Sequence, residues 1–443
     1  MKKNKFFLIS SLTACAVIFC LAMLPVIEKW MLPEMLRDSR NENGSALRFK
    51  VEDAQAVVFY PKDSEQEFVE TMTSYIFDDL SKMDLTSEKI KVDYRNFYSE
   101  PYLFLCFDAV DEQGKLLKVY SGICDTQTHQ AVELDSLVSE SFYEVVSSEL
   151  RYQTKASGIL HDLAYTSEFY EKTTKDALRN LEFFLNEEGV EVYIETVLAN
   201  QTVLLSAELD SSLFYTLMKE DQALYQPSNL VHPVRHYVDV NRPMVSLTFD
   251  DGPVKKNTEL AIELLNAYDA RATFFMLGFR MERNHEVVLD VLNSGHEIAS
   301  HTYNHPDLIE KKTNLSYQYS RNQEILSEIT QGQASIGLLR PPYGAFNQKV
   351  KESSPYPLIL WSLDTLDWKT LDAQATHDHI MTNVKDGDVI LLHDLHATSV
   401  ESLRTVLPAL VDAGYQIVTV SEMMEARGIE MQNGVSYSKA RKE

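Results

Sequence analysis

Two adjacent carboxylates and a pair of histidines are the residues of this sequence best suited to chemistry. Asp250 and Asp251 end one short apolar run, and His301 and His305 follow another. Adjacent side chains at a strand end point to different sides, so one carboxylate can hold a metal while the other stays free as a base. Histidines four apart meet on one face where the chain turns helically. Asp251, His301 and His305 then offer three ligands suited to zinc and leave a position open for water.

Each of these motifs also has a plain structural interpretation when it is taken alone. Asp-Asp-Gly-Pro is an ordinary turn sequence, and a His-x-x-x-His pair is often a surface coincidence. Phosphatases that use a strand-end aspartate usually have a second aspartate two positions later, where this chain has Gly252 or Pro253. The presence of both motifs at strand ends of one domain favours the metal site.

Further reactive residues follow the later apolar runs. Arg340 precedes two prolines, Asp367 precedes Trp368, and His393 follows Leu391 and Leu392. Individually, these could be a salt-bridged loop, a core tryptophan and a core histidine. Together they would supply a guanidinium, a carboxylate and an imidazole around one site.

The elements that would position these residues alternate between short strands and helices. Strands are predicted over residues 244–249, 272–276, 297–300, 338–340, 357–363, 389–392 and 416–420. Helices are predicted near residues 258–268, 282–294, 315–329, 347–352, 373–383 and 399–413. Such alternation implies parallel strands with crossover helices. About seven strands predict an α/β fold, a distorted (β/α) barrel, whose catalytic residues lie at the C-terminal ends of strands.

The region before the barrel predicts smaller α+β units in which we find no chemistry. Residues 48–152 and 153–232 form two such units, and the second includes a helix predicted over residues 167–186. A spacer or a wall-binding module is the plain interpretation. Cys106 and Cys124 lie on neighbouring predicted strands, where an exported pair could be oxidised or could remain as buried thiols.

The N-terminus predicts export. Residues 1–5 are basic and residues 6–27 carry no charge, a length sufficient to cross a hydrocarbon core of about 30 Å. The lysines place this end in the cytoplasm, so the rest of the chain is expected outside. A cleaved signal peptide, or a lipoprotein that begins at Cys15, is the alternative to an uncleaved anchor.

The sequence predicts six segments. It has a membrane anchor at 1–30, a stalk at 31–47, the two α+β units, a catalytic domain at 233–430 and a C-terminal tail at 431–443. The net charge of -25 argues against nucleic acid as a partner, because phosphate backbones are bound by Lys and Arg.

The barrel region resembles the NodB-type polysaccharide deacetylases, carbohydrate esterase family 4, over about residues 242–424. The blocks that carry the resemblance appear in the family's order: Thr248-Phe249-Asp250-Asp251-Gly252-Pro253, His301-Thr302-Tyr303-Asn304-His305, Arg340-Pro341-Pro342-Tyr343-Gly344, Asp367-Trp368 and Leu391-Leu392-His393. The resemblance implies that Asp251, His301 and His305 bind Zn²⁺ or another divalent transition metal. It also implies that Asp250 is the catalytic base and His393 the catalytic acid.

The same resemblance implies supporting residues. Asp367 would orient His393, and Arg340 would pair with Asp250 or Asp367. Tyr343, Trp368 and Leu391 would line the substrate groove.

An exported, membrane-tethered member of this family resembles the bacterial cell-wall deacetylases. The implied reaction removes the acetyl group from N-acetylglucosamine in peptidoglycan, which makes the wall a poorer lysozyme substrate. The expected location is the bacterial cell membrane, with the catalytic domain facing the wall. N-acetylmuramic acid, chitin-like glycans and acetylated xylan stay open, because the motifs are shared. A non-catalytic glycan-binding wall protein is an alternative of another class, although it would need neither Asp250 nor His393.

Overall fold

The computed structural model describes residues 44–51, 54–61, 65–80, 82, 89–186, 189–210 and 236–441. The predicted membrane anchor at 1–30 lies outside these residues. Among the helices that are described, none has the length and apolar character needed to span a bilayer.

The chain divides into two compact units at Tyr94 and Arg95. In the first unit, strands β1 (Gly44–Val51) and β2 (Ala54–Pro61) pair antiparallel. Helix α1 (Gln66–Leu80) then precedes strand β3 (Lys89–Ser99), whose first residues pair parallel to β2. Ile76 and Leu80 of α1 are buried with Val58 and Val92 of these strands, as expected for an amphipathic helix beside a sheet.

The second unit begins with an α+β region. Its strands are β4 (Tyr102–Val110), β5 (Leu116–Asp125) and β6 (Gln130–Val132), followed by β7 (Glu182–Leu185), β8 (Gly189–Leu198) and β9 (Gln201–Asp210). Its helices are α2 (Leu134–Leu137), α3 (Glu140–Ser157) and α4 (Ser167–Lys172). Cys106 and Cys124 lie on the neighbouring strands β4 and β5, as predicted, and both are buried and form no disulfide with each other.

The helix predicted over residues 167–186 is wrong. The helix ends at Lys172, a short 3-10 turn covers Ala177–Asn180, and Glu182–Leu185 is strand β7. The β-branched pair Thr173 and Thr174 weakens the helix. Phe183 and Phe184 are both buried and pair with Val192 and Glu191 of β8. Strand pairing and core packing therefore override the helical spacing of the sequence.

Parallel strands form a closed, distorted barrel from residue 244 onward. The strands are β10 (Met244–Asp250), β11 (Thr273–Met276), β12 (Glu297–Ser300), β13 (Leu358–Ile359), β14 (Leu363–Asp364), β15 (Val389–His393), β16 (Gln416–Ile417) and β17 (Ser436–Tyr437). β10 pairs with β11 on one side and β15 on the other, and β11 pairs with β12. Leu339 bridges Ser300 to Leu358, and β14 pairs with β15. Because β13 and β14 belong to one extended segment, the ladder returns to β15 and the barrel closes.

The barrel differs from the predicted strands at four places. The strand predicted over 357–363 is split into β13 and β14, and the one predicted over 416–420 ends at Ile417, before a helix that begins at Val420. The strand predicted over 338–340 is reduced to the single bridge at Leu339. β17, which lies in the predicted tail, pairs parallel with β13.

Helices connect the strands, and the predicted ones are confirmed with shifted ends. They are α5 (Lys255–Ala267), α6 (Gly278–Met281), α7 (His285–Asn293), α8 (Leu315–Thr330), α9 (Gln348–Ser353), α10 (Asp367–Thr370), α11 (Ala373–Asn383), α12 (Ala397–Asp412) and α13 (Val420–Ala426).

Every residue of β10 is buried, but its two faces differ. Val245, Leu247 and Phe249 belong to the apolar cluster that includes residues of α5 and α12. Alternation along a strand then directs Ser246, Thr248 and Asp250 to the opposite face, the barrel interior. This alternation places a carboxylate inside the barrel at its C-terminal end.

Helix α3 of the upstream region belongs to the same compact unit as the barrel. Arg151 donates to the carbonyl oxygens of Asn266 and Ala267, the last residues of α5, at 2.7 and 3.0 Å. The Lys155 ammonium lies 2.6 Å from the Asp269 carboxylate, and both side chains are buried. Burial alone would raise the pKa of Asp269, but the charges of Lys155, His236, Arg271 and Arg151 together outweigh it and the pKa is lowered.

We expect Lys155→Met to lower the free energy of unfolding by about 3–5 kcal/mol, because it leaves the Asp269 carboxylate buried without its partner. Adding Asp269→Asn should recover part of this loss, since no unpaired charge remains. The exposed pair Lys175–Glu144 is the matched control, and Lys175→Met should change stability by less than about 1 kcal/mol. Urea denaturation measures all variants; equal effects at Lys155 and Lys175 would contradict the prediction.

Candidate active site

Three side chains from two strand ends form a potential metal centre. Asp251 directly follows β10, and His301 directly follows β12. The Asp251 Oδ1 atom lies 3.7 Å from His301 Nε2 and 3.6 Å from His305 Nε2. The ligand atoms of the three residues all lie within 4.8 Å of one another. The structure thus brings together the three residues that the sequence analysis grouped.

The geometry and chemistry of these groups fit a divalent metal. Bonds of about 2.0–2.1 Å in tetrahedral geometry place neighbouring ligand atoms about 3.3 Å apart, close to the two separations measured from Asp251 Oδ1. Asp251 Oδ1 is buried and has no hydrogen-bond donor in the part of the chain that the structure describes, as expected for an atom that faces a cation. Burial, together with the neighbouring His301, lowers the pKa of His305, which favours the neutral imidazole that metals bind.

The two histidines do not lie on a helical turn. Thr302 and His305 have φ values of 72° and 59°, so the chain forms a loop with left-handed residues. The His305 N–H donates to Thr302 Oγ1 at 3.1 Å, and the Asn322 amide donates to the Thr302 carbonyl at 3.0 Å. His301 Nδ1 lies 2.8 Å from the Arg340 carbonyl. Donation to this carbonyl leaves the Nε2 lone pair facing Asp251.

Asp250 lies between Arg340 and the three candidate ligands. Its Oδ1 atom accepts a hydrogen bond from Arg340 Nη1 at 2.7 Å inside the barrel. Its Oδ2 atom lies 3.7 Å from His301 Nε2, beside the potential metal centre. The φ of 73° at Asp251 turns the chain between the two carboxylates. One is therefore held inside the barrel, and the other points toward the histidines.

His393 lies directly across the strand ladder from Asp250. Asp367 accepts from the His393 backbone N–H at 2.8 Å, and its other oxygen lies 2.9 Å from Nδ1. Burial lowers the pKa of His393, but the hydrogen bond and charge of Asp367, together with the charges of Asp250 and Asp251, outweigh it and raise the pKa to about 9. The imidazolium therefore carries a proton on Nε2 at neutral pH.

The predicted groove residues differ in exposure. Tyr343 is 70% exposed, and its ring lies 4.6 Å from the ring of His305, between centroids. Trp368 is 49% exposed at the start of α10. Leu391 is only 3% exposed and lies beneath the surface within β15. Tyr343 and Trp368 thus present apolar surface at the mouth, whereas Leu391 presents almost none.

Three supporting residues were missed by the sequence analysis. Thr248 accepts from Arg340 at 2.8 Å, Asn322 holds the histidine loop, and Asp394 is a buried carboxylate next to His393. Two of them carried a usable signal. Asn322 is a polar residue on the buried face of α8, and Asp394 follows an apolar strand in the same way as Asp251.

Comparison with known proteins gives a consistent result. The sequence model of the polysaccharide deacetylase family matches residues 237–355. A peptidoglycan-N-acetylglucosamine deacetylase of Bacillus cereus is 36% identical over 199 residues, which cover 42% of this chain and 89% of that protein. The solved structure of the peptidoglycan deacetylase PdaC from Bacillus subtilis has 34% sequence identity, covers 43% of this chain and 94% of that chain, and has a TM-score of 0.41.

Two longer relatives match over part of their length. The peptidoglycan-N-acetylmuramic acid deacetylase PdaC of Bacillus subtilis is 30% identical over 262 residues, which are 55% of each chain. The peptidoglycan-N-acetylglucosamine deacetylase PgdA of Listeria monocytogenes is 34% identical over 221 residues, which are 48% of this chain and 45% of that protein. The match therefore spans about half the length of these two relatives. Because the Bacillus cereus relative is 36% identical and is matched over 89% of its length, the chain belongs to the polysaccharide deacetylases of carbohydrate esterase family 4.

Proposed function

We propose that this protein hydrolyses the N-acetyl group of N-acetylglucosamine residues in peptidoglycan, with zinc as its metal. The observation that carries the proposal is the pairing of Asp250 with His393 across the β10–β15 ladder, beside Asp251, His301 and His305. A base and an acid on either side of a metal centre suit the cleavage of an amide bond. A protein that only bound glycan would have no use for this pairing.

Asp250 is the group placed to take a proton from water. Arg340 holds its Oδ1 atom at 2.7 Å, which leaves Oδ2 on the side of the metal centre. When bound to Asp251, His301 and His305, zinc supplies polarisation of the acetyl carbonyl and a more acidic water. Asp250 accepts one proton from the water whose oxygen attacks the carbonyl carbon.

His393 is the group placed to complete the reaction. Its Nδ1 atom is held by Asp367, so the proton on Nε2 is the one available for donation. Protonation of the sugar nitrogen lets the C–N bond break, and the products are acetate and a free amine. Asp367 stabilises the protonated imidazole before transfer and fixes the direction in which it donates.

The substrate assignment rests on relatives and on the mouth of the barrel. Relatives from Bacillus cereus and Listeria monocytogenes are named peptidoglycan-N-acetylglucosamine deacetylases. The exposed rings of Tyr343 and Trp368 offer apolar faces on which sugar rings can pack. The relative PdaC, named for N-acetylmuramic acid, supports that sugar as the second candidate.

The proposed location follows from the chain's first residues. Three lysines before an uncharged run at 6–27 support a membrane anchor with the catalytic domain outside, facing the wall. Deacetylation there would place free amines in the wall and reduce its cleavage by lysozyme.

The purified protein should release acetate from peptidoglycan and from N-acetylglucosamine oligomers. Asp250→Asn should lower kcat by about 10²–10⁴-fold, because the base that takes the water's proton is lost. Asp372→Asn, which retains a good N-cap at the start of α11, should leave kcat unchanged. Acetate measurement with a coupled assay checks both, and full activity in Asp250→Asn would contradict the assigned role.

Removal of the metal should abolish acetate release, and added zinc should restore it. Without the metal, Asp251, His301 and His305 cannot polarise the acetyl carbonyl or make the water more acidic. The substrates to compare are peptidoglycan, peptidoglycan enriched in acetylated muramic acid, chitin oligomers and acetylated xylan. Release from xylan alone would contradict the substrate proposal while retaining the esterase chemistry. Zinc binding without release from any of the four would favour the binding-protein alternative.

Replacing Asp367 with Asn should move the basic limb of the kcat–pH profile to lower pH. The carboxylate raises the pKa of His393, and the acid must be protonated to act, so activity is lost as pH rises through that pKa. Loss of an adjacent opposite charge shifts a pKa by roughly 1–3 units. Asp364→Asn, which removes a carboxylate that caps the Leu366 N–H instead, should leave the limb in place. If the basic limb of the profile does not move in Asp367→Asn, His393 is not the acid whose titration limits activity.

A further inference from the structure

Asp394 is a buried carboxylate that the proposed reaction does not use. It follows His393 at the end of β15, and its side chain is fully buried. Its Oδ2 atom accepts a hydrogen bond from the Thr258 hydroxyl. Its Oδ1 atom has no hydrogen-bond donor, and no ion pair to the residue is found, among the described residues. Burial of such a group costs free energy, so its retention needs an explanation.

Thr258 connects the Asp394 carboxylate to the start of helix α5 by hydrogen bonds. The Thr258 Oγ1 atom accepts from the Val254 N–H at 2.8 Å. The Asn257 amide donates to the backbone carbonyls of Asp394 and Leu395 at 3.0 and 3.2 Å. The segments that follow β15 and β10 are therefore joined by a hydrogen bond between two side chains and by two from a side chain to the backbone.

Gly252 provides the second contact. A Cβ atom at this position would lie 2.4 Å from both carboxylate oxygens of Asp394, so any other residue here would force that carboxylate to shift. The φ of Gly252 is not in the left-handed region, so backbone conformation does not require glycine here. The space that the Asp394 carboxylate occupies does. Gly252 directly follows Asp251, and its carbonyl accepts from the Leu277 N–H at 3.0 Å.

We propose that Asp394 is a positioning residue that fixes the candidate metal ligand Asp251 relative to the proton donor His393. The β10–β15 ladder ends at the pair Asp250 and His393. Beyond this pair, the segments that follow β10 and β15 are no longer joined by strand hydrogen bonds. The Asp394 carboxylate packs against Gly252 and bonds Thr258, so it sets the separation of the two loops where the ladder stops.

This role predicts an effect on metal affinity that does not depend on the substrate. Without the carboxylate, the loop at Asp251 has space to relax toward β15, and the ligand atom leaves its place beside the histidines. Loss of a group that orients a metal ligand typically weakens binding by about 10–100-fold. The same relaxation changes the distance from Asp250 to His393, so kcat should fall while KM stays close to its wild-type value.

The test compares Asp394→Ala, Asp394→Asn and Thr258→Val in the full chain. The zinc dissociation constant of the metal-free protein is measured by competition with a chromophoric chelator, and kcat and KM are measured at saturating zinc. Asp394→Ala should weaken zinc binding by about 10–100-fold, and Thr258→Val should weaken it less. Asp394→Asn should restore most of the affinity, because it keeps the volume and an acceptor for Thr258. Thr330→Val, at another buried threonine whose hydroxyl bonds a helix carbonyl, is the control that should leave zinc binding unchanged.

Two results would overturn the inference. One is a wild-type zinc affinity and kcat in Asp394→Ala with only a lower melting temperature, which would make the residue a stability element. The other is an Asn variant as impaired as the Ala variant. The kcat part rests on the proposed function, but zinc affinity does not; absence of acetate release by the wild-type protein would therefore count against the function alone.

Discussion

The buried ion pair of Arg340 and Asp250 is the interaction on which the barrel and its site both depend. The guanidinium is fully buried and lies 4.0 Å from the centre of the Phe275 ring. Beyond Asp250, it donates to Thr248 and to the carbonyls of Ile359 and Leu360. A charge in such a place is tolerated only when these partners are all present, because an unpaired buried ion costs several kcal/mol. The barrel must therefore close around Arg340 for the residue to be accommodated.

The same residue also acts through its backbone. Its carbonyl accepts from His301 Nδ1 at 2.8 Å, while its side chain holds Asp250 at 2.7 Å. Arg340 thus orients one candidate metal ligand and the candidate base at once. A lysine could not replace it, since one ammonium group cannot reach four acceptors in a planar arrangement.

The three histidines of the site have different roles because their neighbouring groups differ. His301 is bonded to a carbonyl and His305 has a lowered pKa, whereas His393 is bonded to a carboxylate that raises its pKa to about 9. The first two present lone pairs, and the third presents a proton. The strand ends place all three at one mouth, and the hydrogen-bond partner at Nδ1 of His301 and His393 separates their roles.

The sequence predicted those parts of the structure that depend on local pattern. The apolar runs located the strands, and the rule that reactive residues follow strand ends grouped Asp251, His301 and His305 correctly. What it could not predict depends on contacts distant in the sequence. The local spacing predicts a helix at the strand Glu182–Leu185, because pairing with β8 leaves no local sequence pattern. The burial of Leu391 and the contact of Asp394 with Gly252 likewise appear only when the strands are assembled.

Strand β17 affects the stage of synthesis at which the site can form. The Leu358 and Leu360 N–H groups donate to the carbonyls of Val435 and Tyr437, and the Ala440 N–H donates to the carbonyl of Gly387. The segment fixed in this way is the one whose carbonyls surround Arg340. Residues 435–440 are synthesised after every strand of the closed ladder. A nascent chain can therefore contain most of the barrel before these hydrogen bonds can form. The contacts that hold the segment around Arg340 are therefore complete only after residues 435–440 have been synthesised.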